Sequence, residues 1–151
     1  MADEENKQPE QQFEFQRVYM KDMSFEAPNT PKVFLQEWKP EVSVDLNVEN
    51  TKVEDNMYEV VLTVTVNTKA EDTVAFIAEV RQAGVFMVSG FDEAQMNHML
   101  GAFCPNILFP FAREAVSDLV NKGSFPQLLL APINFDALYQ QQQEAKKEKA
   151  N

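Results

Sequence analysis

The sequence predicts an α+β fold in which four strands are followed by two helices. Residues 42–48 and 58–66 alternate apolar and polar side chains with a period of two, which is typical of half-buried strands. From about residue 92 onward, helix start and stop signals enclose a long apolar stretch instead. The 151 residues are enough for one domain with a modest core.

The four predicted strands cover residues 17–27, 41–49, 58–67 and 74–88. The polar turn Glu54-Asp55-Asn56 makes the second and third strands an antiparallel hairpin. Three prolines lie between the first two strands, within residues 28–40, and proline cannot donate to a central ladder. We therefore expect a crossing loop there, which carries the single tryptophan, Trp38.

The first helix should begin near Asp92 and Glu93 and end at Lys122-Gly123. Pro105 and Pro110 each lack a backbone donor, so we expect a kink or a break around them. A second, shorter helix should begin near Asn134 or Asp136 with the stripe Phe135, Leu138 and Tyr139. The predicted organisation is a disordered acidic tail (residues 1–12), one domain (13–139) and a flexible C-terminal tail (140–151) that frays.

Bulk composition excludes several classes of protein. The net charge of −11 argues against nucleic-acid binding, which needs clustered basic residues. No run is long enough for a membrane-spanning helix, no signal peptide is visible, and the one cysteine, Cys104, allows no intrachain disulfide, so a cytoplasmic location is the simplest. Four glycines leave no phosphate-binding loop, so we expect no cofactor and no ATP hydrolysis.

Catalytic and metal-binding chemistry is also disfavoured. His98 is the only histidine and lies among apolar helix residues, so a catalytic triad, which would have to use it, is disfavoured. A zinc site of the usual composition lacks the second histidine or cysteine that it needs. Cys104 precedes a proline in an apolar setting, where a thiol is normally inert. We expect no catalytic residue and no metal site.

Strand parity predicts an acidic outer side for the sheet. In the first strand Asp22, Ser24 and Glu26 share a side, opposite Tyr19, Met23 and Phe25. If the apolar sides pack on the helices, one face collects the carboxylates Asp22, Glu26, Asp45, Glu49, Glu59 and Glu79, with Ile77 among them. Such a face suits a basic partner, although any half-buried antiparallel sheet has a polar outer side.

Apolar residues of the first helix cover more than one stripe, so this helix needs cover on two sides, and we expect oligomerisation through it. The stripe residues are Met96, Met99, Leu100, Phe103, Ile107, Leu108, Phe111, Val116, Leu119 and Val120. Aromatic and apolar side chains also lie on the crossing loop and the second helix, including Phe34, Trp38, Phe125, Leu128, Phe135 and Tyr139. They either line a groove for extended apolar peptides or anchor their own segments to the core.

Several motifs resemble the SecB family of bacterial export chaperones. The apolar block from Cys104 to Leu138, which contains Cys104-Pro-Asn-Ile-Leu-Phe-Pro-Phe and Phe125-Pro-Gln-Leu-Leu-Leu-Ala-Pro, is similar to the family signature. Arg17-Val-Tyr-Met-Lys-Asp-Met-Ser-Phe-Glu-Ala-Pro resembles the family's first strand. Trp38-Lys-Pro-Glu-Val resembles its crossover loop, and Tyr58-Glu-Val-Val-Leu its third strand. The resemblance covers about residues 13–139.

The resemblance implies a four-stranded antiparallel sheet packed on one long and one short helix, assembled as a homotetramer that is a dimer of dimers. It implies an ATP-independent chaperone that holds unfolded secretory preproteins and delivers them to the SecA motor. The C-terminal zinc-binding segment of SecA, whose zinc belongs to that partner, would dock on Asp22, Glu26, Ile77 and Glu79. Clients would contact Trp38, Phe135 and Tyr139, with Val42, Val44 and Leu46 as the floor.

Three alternatives remain open on the sequence. One is an adaptor that delivers specific partners through the acidic sheet face alone. Another is a small-molecule carrier or enzyme with a pocket between sheet and helices. The third is a SecB-like chaperone that serves a toxin–antitoxin system.

Overall fold

The computed structural model describes residues 10–150, which form one antiparallel sheet of four strands with helices on one side. Strand β1 spans Gln12–Glu26, β2 spans Pro40–Glu54, β3 spans Met57–Ala70 and β4 spans Thr73–Ser89. Their order across the sheet is β1-β4-β3-β2, so β1 and β2 are the two edge strands. The predicted α+β fold and its four strands are confirmed.

Tight turns join β2 to β3 and β3 to β4. Asn56 has a φ of 65°, and Glu71 and Asp72 have φ values of 49° and 66°. Left-handed backbone at both central positions of a two-residue turn matches the twist of the flanking strands. Asn and Asp tolerate this conformation better than most residues, which explains why these polar positions form the turns.

The crossover loop, residues 27–39, joins the two edge strands and therefore passes the ends of β4 and β3. It contains a 3-10 helical turn at Lys32–Leu35. The Asn29 side-chain amide donates to the Val74 carbonyl at 2.9 Å, and Val33 is 2% exposed in the core. The predicted crossing loop is thus confirmed, and it is anchored at the start of β4.

Residues 93–122 form one continuous helix, here called the long helix. It consists of α1 (Glu93–His98), a π-helical turn (Met99–Phe103) and α2 (Cys104–Lys122). The Asp92 carboxylate accepts the Gln95 N–H at 2.8 Å, and the Gln95 side chain accepts the Asp92 N–H at 3.1 Å. This reciprocal capping box fixes the predicted start of the helix.

The two prolines do not break the long helix. Pro105 follows the π-helical turn directly, and in that turn the Cys104 N–H bonds to the Met99 carbonyl, five residues back. Pro110 lies inside α2, which continues on both sides of it. The irregularity is therefore a single π-helical turn shortly before Pro105, and π-helical geometry occurs mostly as such single turns within α-helices.

The core lies between α2 and the two central strands, β3 and β4. Each large apolar side chain buried there contributes about 1.5–3 kcal/mol relative to exposure. The fully buried large side chains are Val33, Val60, Leu62, Val64, Val66, Phe76, Val80, Phe86, Val88, Leu108, Val116 and Val120. The edge strand β2 lies beyond this cover, and its Val42 and Val44 remain 42% and 39% exposed.

The second helix, α3, spans Phe135–Ala150. The Asn134 side chain accepts the Ala137 N–H at 3.0 Å, which confirms the predicted cap. The helix is longer than predicted, because residues 140–150 continue it where a fraying tail was expected. Most side chains of residues 140–149 are exposed.

The N-terminal boundary also differs from the prediction. Strand β1 begins at Gln12, five residues before the predicted start at Arg17, and Phe13 packs on Phe86 and Phe103 at ring-centre distances of 5.6 and 5.0 Å. Residues 1–9 of the predicted tail lie outside the described residues.

Two irregularities interrupt β1, between Phe15 and Arg17 and between Met20 and Asp22. A bulge inserts one residue and reverses the side alternation beyond it. Tyr19 therefore shares the face of Asp22, and its predicted position on the opposite side is wrong. The buried Gln82 side chain donates to the Tyr19 carbonyl at 3.0 Å, next to this bulge.

Candidate functional site

The sheet has an open face, which is the side away from the helices. In the β1–β4 ladder Glu26 lies opposite Ile77, Ser24 opposite Glu79, and Asp22 opposite Arg81. Residues directly opposite each other in a ladder point to the same side. The register thus brings together four of the predicted residues, here called the docking patch: Asp22, Glu26, Ile77 and Glu79.

The docking patch combines exposed carboxylates with one apolar side chain. Asp22 and Glu26 are exposed, whereas Ile77 and Glu79 are half-buried. The Thr65 hydroxyl donates to the Glu79 carboxylate at 2.9 Å, which orients that side chain. An apolar centre with a charged rim is the usual arrangement of a protein-binding surface.

Two other carboxylates of the open face lie close to basic side chains. Lys21 contacts Glu59 at 2.7 Å, and Arg81 lies 3.9 Å from Glu49. The face that the sequence predicts to be acidic thus also carries two basic residues. Among the described residues, no lysine or arginine lies within 4.0 Å of a docking-patch carboxylate.

Two neighbouring groups on the open face, Tyr19 and Glu59, have shifted pKa values. The Tyr19 hydroxyl donates to the Glu59 carboxylate. Burial, followed by this bond and the charge of Glu59, raises the pKa of Tyr19 to about 12. Hydrogen bonds from Lys21 and then Tyr19 lower the pKa of Glu59. Glu59 is thus held as a carboxylate and is committed to neighbours within the chain.

The opposite side of the sheet exposes an apolar band on β2, formed by Val42, Val44 and Leu46. These residues pair in register with Thr68, Val66 and Val64 of β3, so they point to the helix side. The long helix lies mainly over β4 and β3, so Val42 and Val44 stay exposed, whereas Leu46 is half-buried against the core. The band is accessible along the strand and is walled at one end by the crossover loop.

Trp38 closes that end of the band. Its ring lies 5.7 Å from that of Phe125, which in turn lies 5.0 Å from Phe76 and 5.2 Å from Phe34. Phe125 and Phe76 are buried, while Phe34 is 48% exposed. Trp38 and the apolar band thus form one continuous apolar surface.

Phe135 lies beside the middle of the long helix, and Tyr139 lies near its N-terminal part. The Phe135 ring is 3% exposed and packs on Phe109, with ring centres 5.8 Å apart. The Tyr139 ring lies over Gly101, so close that a Cβ atom at position 101 would fall 2.7 Å from the ring edge. From Gly101 to Lys122 the helix rises about 30 Å. The predicted client residues therefore form two groups, and Phe135 anchors α3 in this arrangement.

The outer side of the long helix keeps exposed apolar residues in the single chain. Phe103 and Phe111 are 43% and 45% exposed, and Ile107 is half-buried. The inner side, with Leu108 and Val116, is fully buried against the sheet. The helix is therefore apolar on two sides, as the sequence predicted.

The groups considered for chemistry have structural roles. The His98 imidazole lies 2.6 Å from the Asp136 carboxylate and edge-on to Tyr139, which joins the long helix to α3. Burial raises the pKa of the Cys104 thiol to about 12. Within residues 10–150, no three His, Cys, Asp or Glu side chains are grouped to hold a metal ion. None of the described helices is long and apolar enough to cross a membrane.

Sequence reasoning missed three features of these surfaces. The β1 bulge, which turns Tyr19 and Lys21 toward Glu59, has no local signal because it depends on pairing with β4. The burial of Phe135 depends on where α3 docks. The role of Thr65 in orienting Glu79 follows only from the β3–β4 register, although both residues were placed on the correct strands.

Comparison with known proteins identifies the family. The family model "Preprotein translocase subunit SecB" matches residues 5–146. The protein-export protein SecB of Marinobacter nauticus is 56% identical over 149 residues, covering 99% of this chain and 89% of that protein. The proteins of the same name from Idiomarina loihiensis and Stutzerimonas stutzeri are 55% and 59% identical, covering 97% and 87% of this chain.

A solved structure has the same fold. The Mycobacterium tuberculosis Rv1957 SecB-like chaperone, in complex with a ChAD peptide from the Rv1956 HigA1 antitoxin, superimposes with a TM-score of 0.67. The match covers 80% of this chain and 90% of that one at 13% sequence identity. The fold, the family model and the close relatives agree, and the chain belongs to the SecB family.

Proposed function

We propose that this protein is an ATP-independent export chaperone of the cytoplasm. It holds unfolded preproteins in a translocation-competent state and delivers them to the SecA motor. The observation that carries this proposal is the separation of two unlike surfaces on opposite sides of one sheet. An apolar band faces one way, and the docking patch faces the other.

The apolar band suits clients that share only exposed hydrophobic segments. Burial of apolar surface stabilises a complex by about 25 cal/mol per Å² before ordering costs are subtracted, and it does not depend on sequence. Val42, Val44, Leu46 and Trp38 provide such a surface without a deep, shaped pocket. A folded protein has already buried its own apolar segments and gains little from this band.

The docking patch suits a small basic partner. Its carboxylates have no basic neighbour within 4.0 Å in the described chain, so a cationic ligand need not displace an existing ion pair. Ile77 supplies an apolar contact at the centre. The C-terminal zinc-binding segment of SecA, as expected from the family resemblance, has this chemistry.

Assembly as a homotetramer would cover the outer side of the long helix. Phe103 and Phe111 are exposed in the single chain, and the helix already packs on its own sheet. Several protomers would also present several apolar bands to one client, so that weak contacts add through effective concentration.

The alternatives are less well supported. An adaptor that used the docking patch alone would leave the apolar band without a role. A small-molecule carrier or enzyme is not favoured, because the family model that matches is a preprotein translocase subunit and the exposed His98 is paired with Asp136. Service to a toxin–antitoxin system is not favoured, because the close relatives are named as export proteins.

A calorimetric titration without nucleotide tests the proposal. An unfolded secretory precursor is titrated into the protein, and the folded mature form of the same precursor is the control. We expect binding of the unfolded chain alone. Equal binding of both forms, or of neither, would contradict the holding function and favour the adaptor.

A further inference from the structure

A small cavity lies where the crossover loop meets the start of β2. Its volume is about 50 Å³, which is enough for a small chemical group. Its walls include Trp38, Pro40, Val42, Thr68, Phe76 and Leu128. It therefore lies at the end of the apolar band, beneath the tryptophan that closes it.

Thr68 gives this otherwise apolar cavity an unusual polar wall. The side chain is 1% exposed, and its hydroxyl has no hydrogen-bond partner among the residues that the structure describes. Gln82, the other buried polar residue of this part of the chain, donates to the Tyr19 carbonyl. A buried hydroxyl without a partner lowers stability because it has lost its hydrogen bonds to water.

Packing alone does not account for a threonine at this position. From Val60 to Ala70, the helix side of β3 otherwise carries Val60, Leu62, Val64, Val66 and Ala70, all fully buried. Valine has nearly the same shape as threonine and would fill the site without a polar group. The hydroxyl therefore lowers the stability of the protein when no client is bound, and a role in binding would explain its presence.

Part of the wall around Thr68 consists of side chains that are only partly buried. Trp38 and Leu128 are half-buried, and Leu129, which follows Leu128, is 66% exposed. Movement of Leu128 or Trp38 would open the cavity onto the hydroxyl. An apolar side chain of a bound segment could then replace the displaced one with little loss of burial.

We propose that the Thr68 hydroxyl hydrogen-bonds a main-chain amide of an extended, unfolded polypeptide bound along the apolar band. This inference rests on the proposed function and names the chemical group recognised at that site. Client side chains vary from one protein to another, whereas every client carries amide groups. A hydroxyl both donates and accepts, so it can bond either the N–H or the carbonyl.

The test uses Thr68→Val, Thr68→Ser and the matched control Thr63→Val, which is the same change on the open face of the same strand. The probe is a synthetic, unstructured peptide from a secretory precursor, together with versions in which one backbone amide at a time is replaced by an ester. Thr68→Val should weaken binding of the parent peptide about five- to tenfold. Thr68→Ser and Thr63→Val should bind it like the unchanged protein.

Two further measurements distinguish the loss of a hydrogen bond to the peptide from a cavity wall that has become harder to displace. Thr68→Val should raise the thermal unfolding midpoint more than Thr63→Val does, because it removes the unpartnered hydroxyl. One ester peptide should bind the unchanged protein more weakly than the parent peptide does. The Thr68→Val variant should bind this ester peptide and the parent peptide with equal affinity. This coupling is the signature of a bond between the two altered groups.

Three outcomes would overturn the inference. Binding of the parent peptide by Thr68→Val as tightly as by the unchanged protein would show that the hydroxyl has no part in binding. An equal loss of affinity for every ester peptide would instead show that the substitution acts by making the cavity wall harder to displace. Failure of the unchanged protein to bind any unfolded chain would remove the proposed function itself, and with it this anchor.

Discussion

Glu26 lies directly opposite Ile77 in the β1–β4 ladder, on the side of the sheet that faces away from the helices. Adjacent strands are about 4.8 Å apart, so a charged and an apolar side chain are presented as neighbours. One row along, Ser24 lies opposite Glu79, whose carboxylate is oriented by Thr65. These two rows contain three of the four docking-patch residues, and Asp22 lies one row further along, opposite Arg81.

Removing a docking-patch charge should weaken SecA binding without affecting the fold. For Glu79→Gln we expect a loss of about 1–2 kcal/mol for the SecA zinc-binding segment, because an unpaired carboxylate at a binding surface is lost. The matched control is Glu49→Gln on the same face, whose carboxylate already lies near Arg81. Calorimetry at two salt concentrations measures both variants, and equal losses would show that only net charge matters.

A charge introduced on the apolar band should weaken client binding, whereas a charge introduced on the opposite side of β2 should not. Val44→Asp places a carboxylate among apolar contacts, and we expect at least a tenfold loss in affinity for an unfolded precursor, given the cost of desolvating a charge. Ser43→Asp, the adjacent residue on the open face, should bind the precursor normally. Similar losses in both variants would place the client elsewhere.

Introducing a charge on the outer side of the long helix should dissociate the assembly. Phe111→Asp puts a carboxylate on the face proposed to pack between protomers, where an unpaired charge is costly. Val53→Asp, at a site that is 55% exposed near the β2–β3 turn, is the control. Sedimentation should show a smaller species for Phe111→Asp only, and an unchanged assembly would contradict the proposed interface.

Gly101→Ala should release α3 although alanine favours helices by about 1 kcal/mol over glycine. The new Cβ would fall 2.7 Å from the Tyr139 ring, so the ring has to move. Hydrogen exchange should show faster exchange in α3 and unchanged protection in α2. The double variant with Tyr139→Ala should add no further change, and unaltered protection of α3 in the single variant would contradict the close packing.

Stability should fall at both ends of the pH range because of the Tyr19–Glu59 pair. The folded pKa of Glu59 is lowered, so its contribution is complete above its unfolded value of 4.5 and is lost as the pH falls through the folded pKa. The folded pKa of Tyr19 is raised from 10.0 to about 12, so its contribution is lost as the pH rises across that interval. Chemical denaturation should show a flatter alkaline limb for Tyr19→Phe, and an unchanged alkaline limb would contradict the assignment.

Local signals were sufficient for most of the fold. The alternation in β2 and β3 was enough to identify the strands and the side of each that faces the helices, because a period of two follows directly from strand geometry. Asp92 and Gly123 marked the ends of the long helix for reasons of capping that are equally local. The same alternation was enough to place Asp22, Glu26, Ile77 and Glu79 on one face.

Features that depend on distant partners could not be predicted in this way. Tyr19 was placed on the wrong side because the bulge near Lys21 arises from pairing with β4 and shifts the alternation. An aromatic residue such as Phe135 suits a peptide-binding groove, but docking of α3 places its ring against Phe109 and buries it. The pairing of Lys21 with Glu59 and of Arg81 with Glu49 joins residues that are remote in sequence.

We expect two different partners to use opposite sides of one sheet at the same time. The most direct measurement is a titration of the SecA zinc-binding segment into the protein, alone and after saturation with an unfolded precursor. Because the two surfaces share no residue, we predict affinities that agree within about two-fold. Loss of segment binding in the presence of the precursor would show that the two partners compete for one surface, and would contradict simultaneous binding.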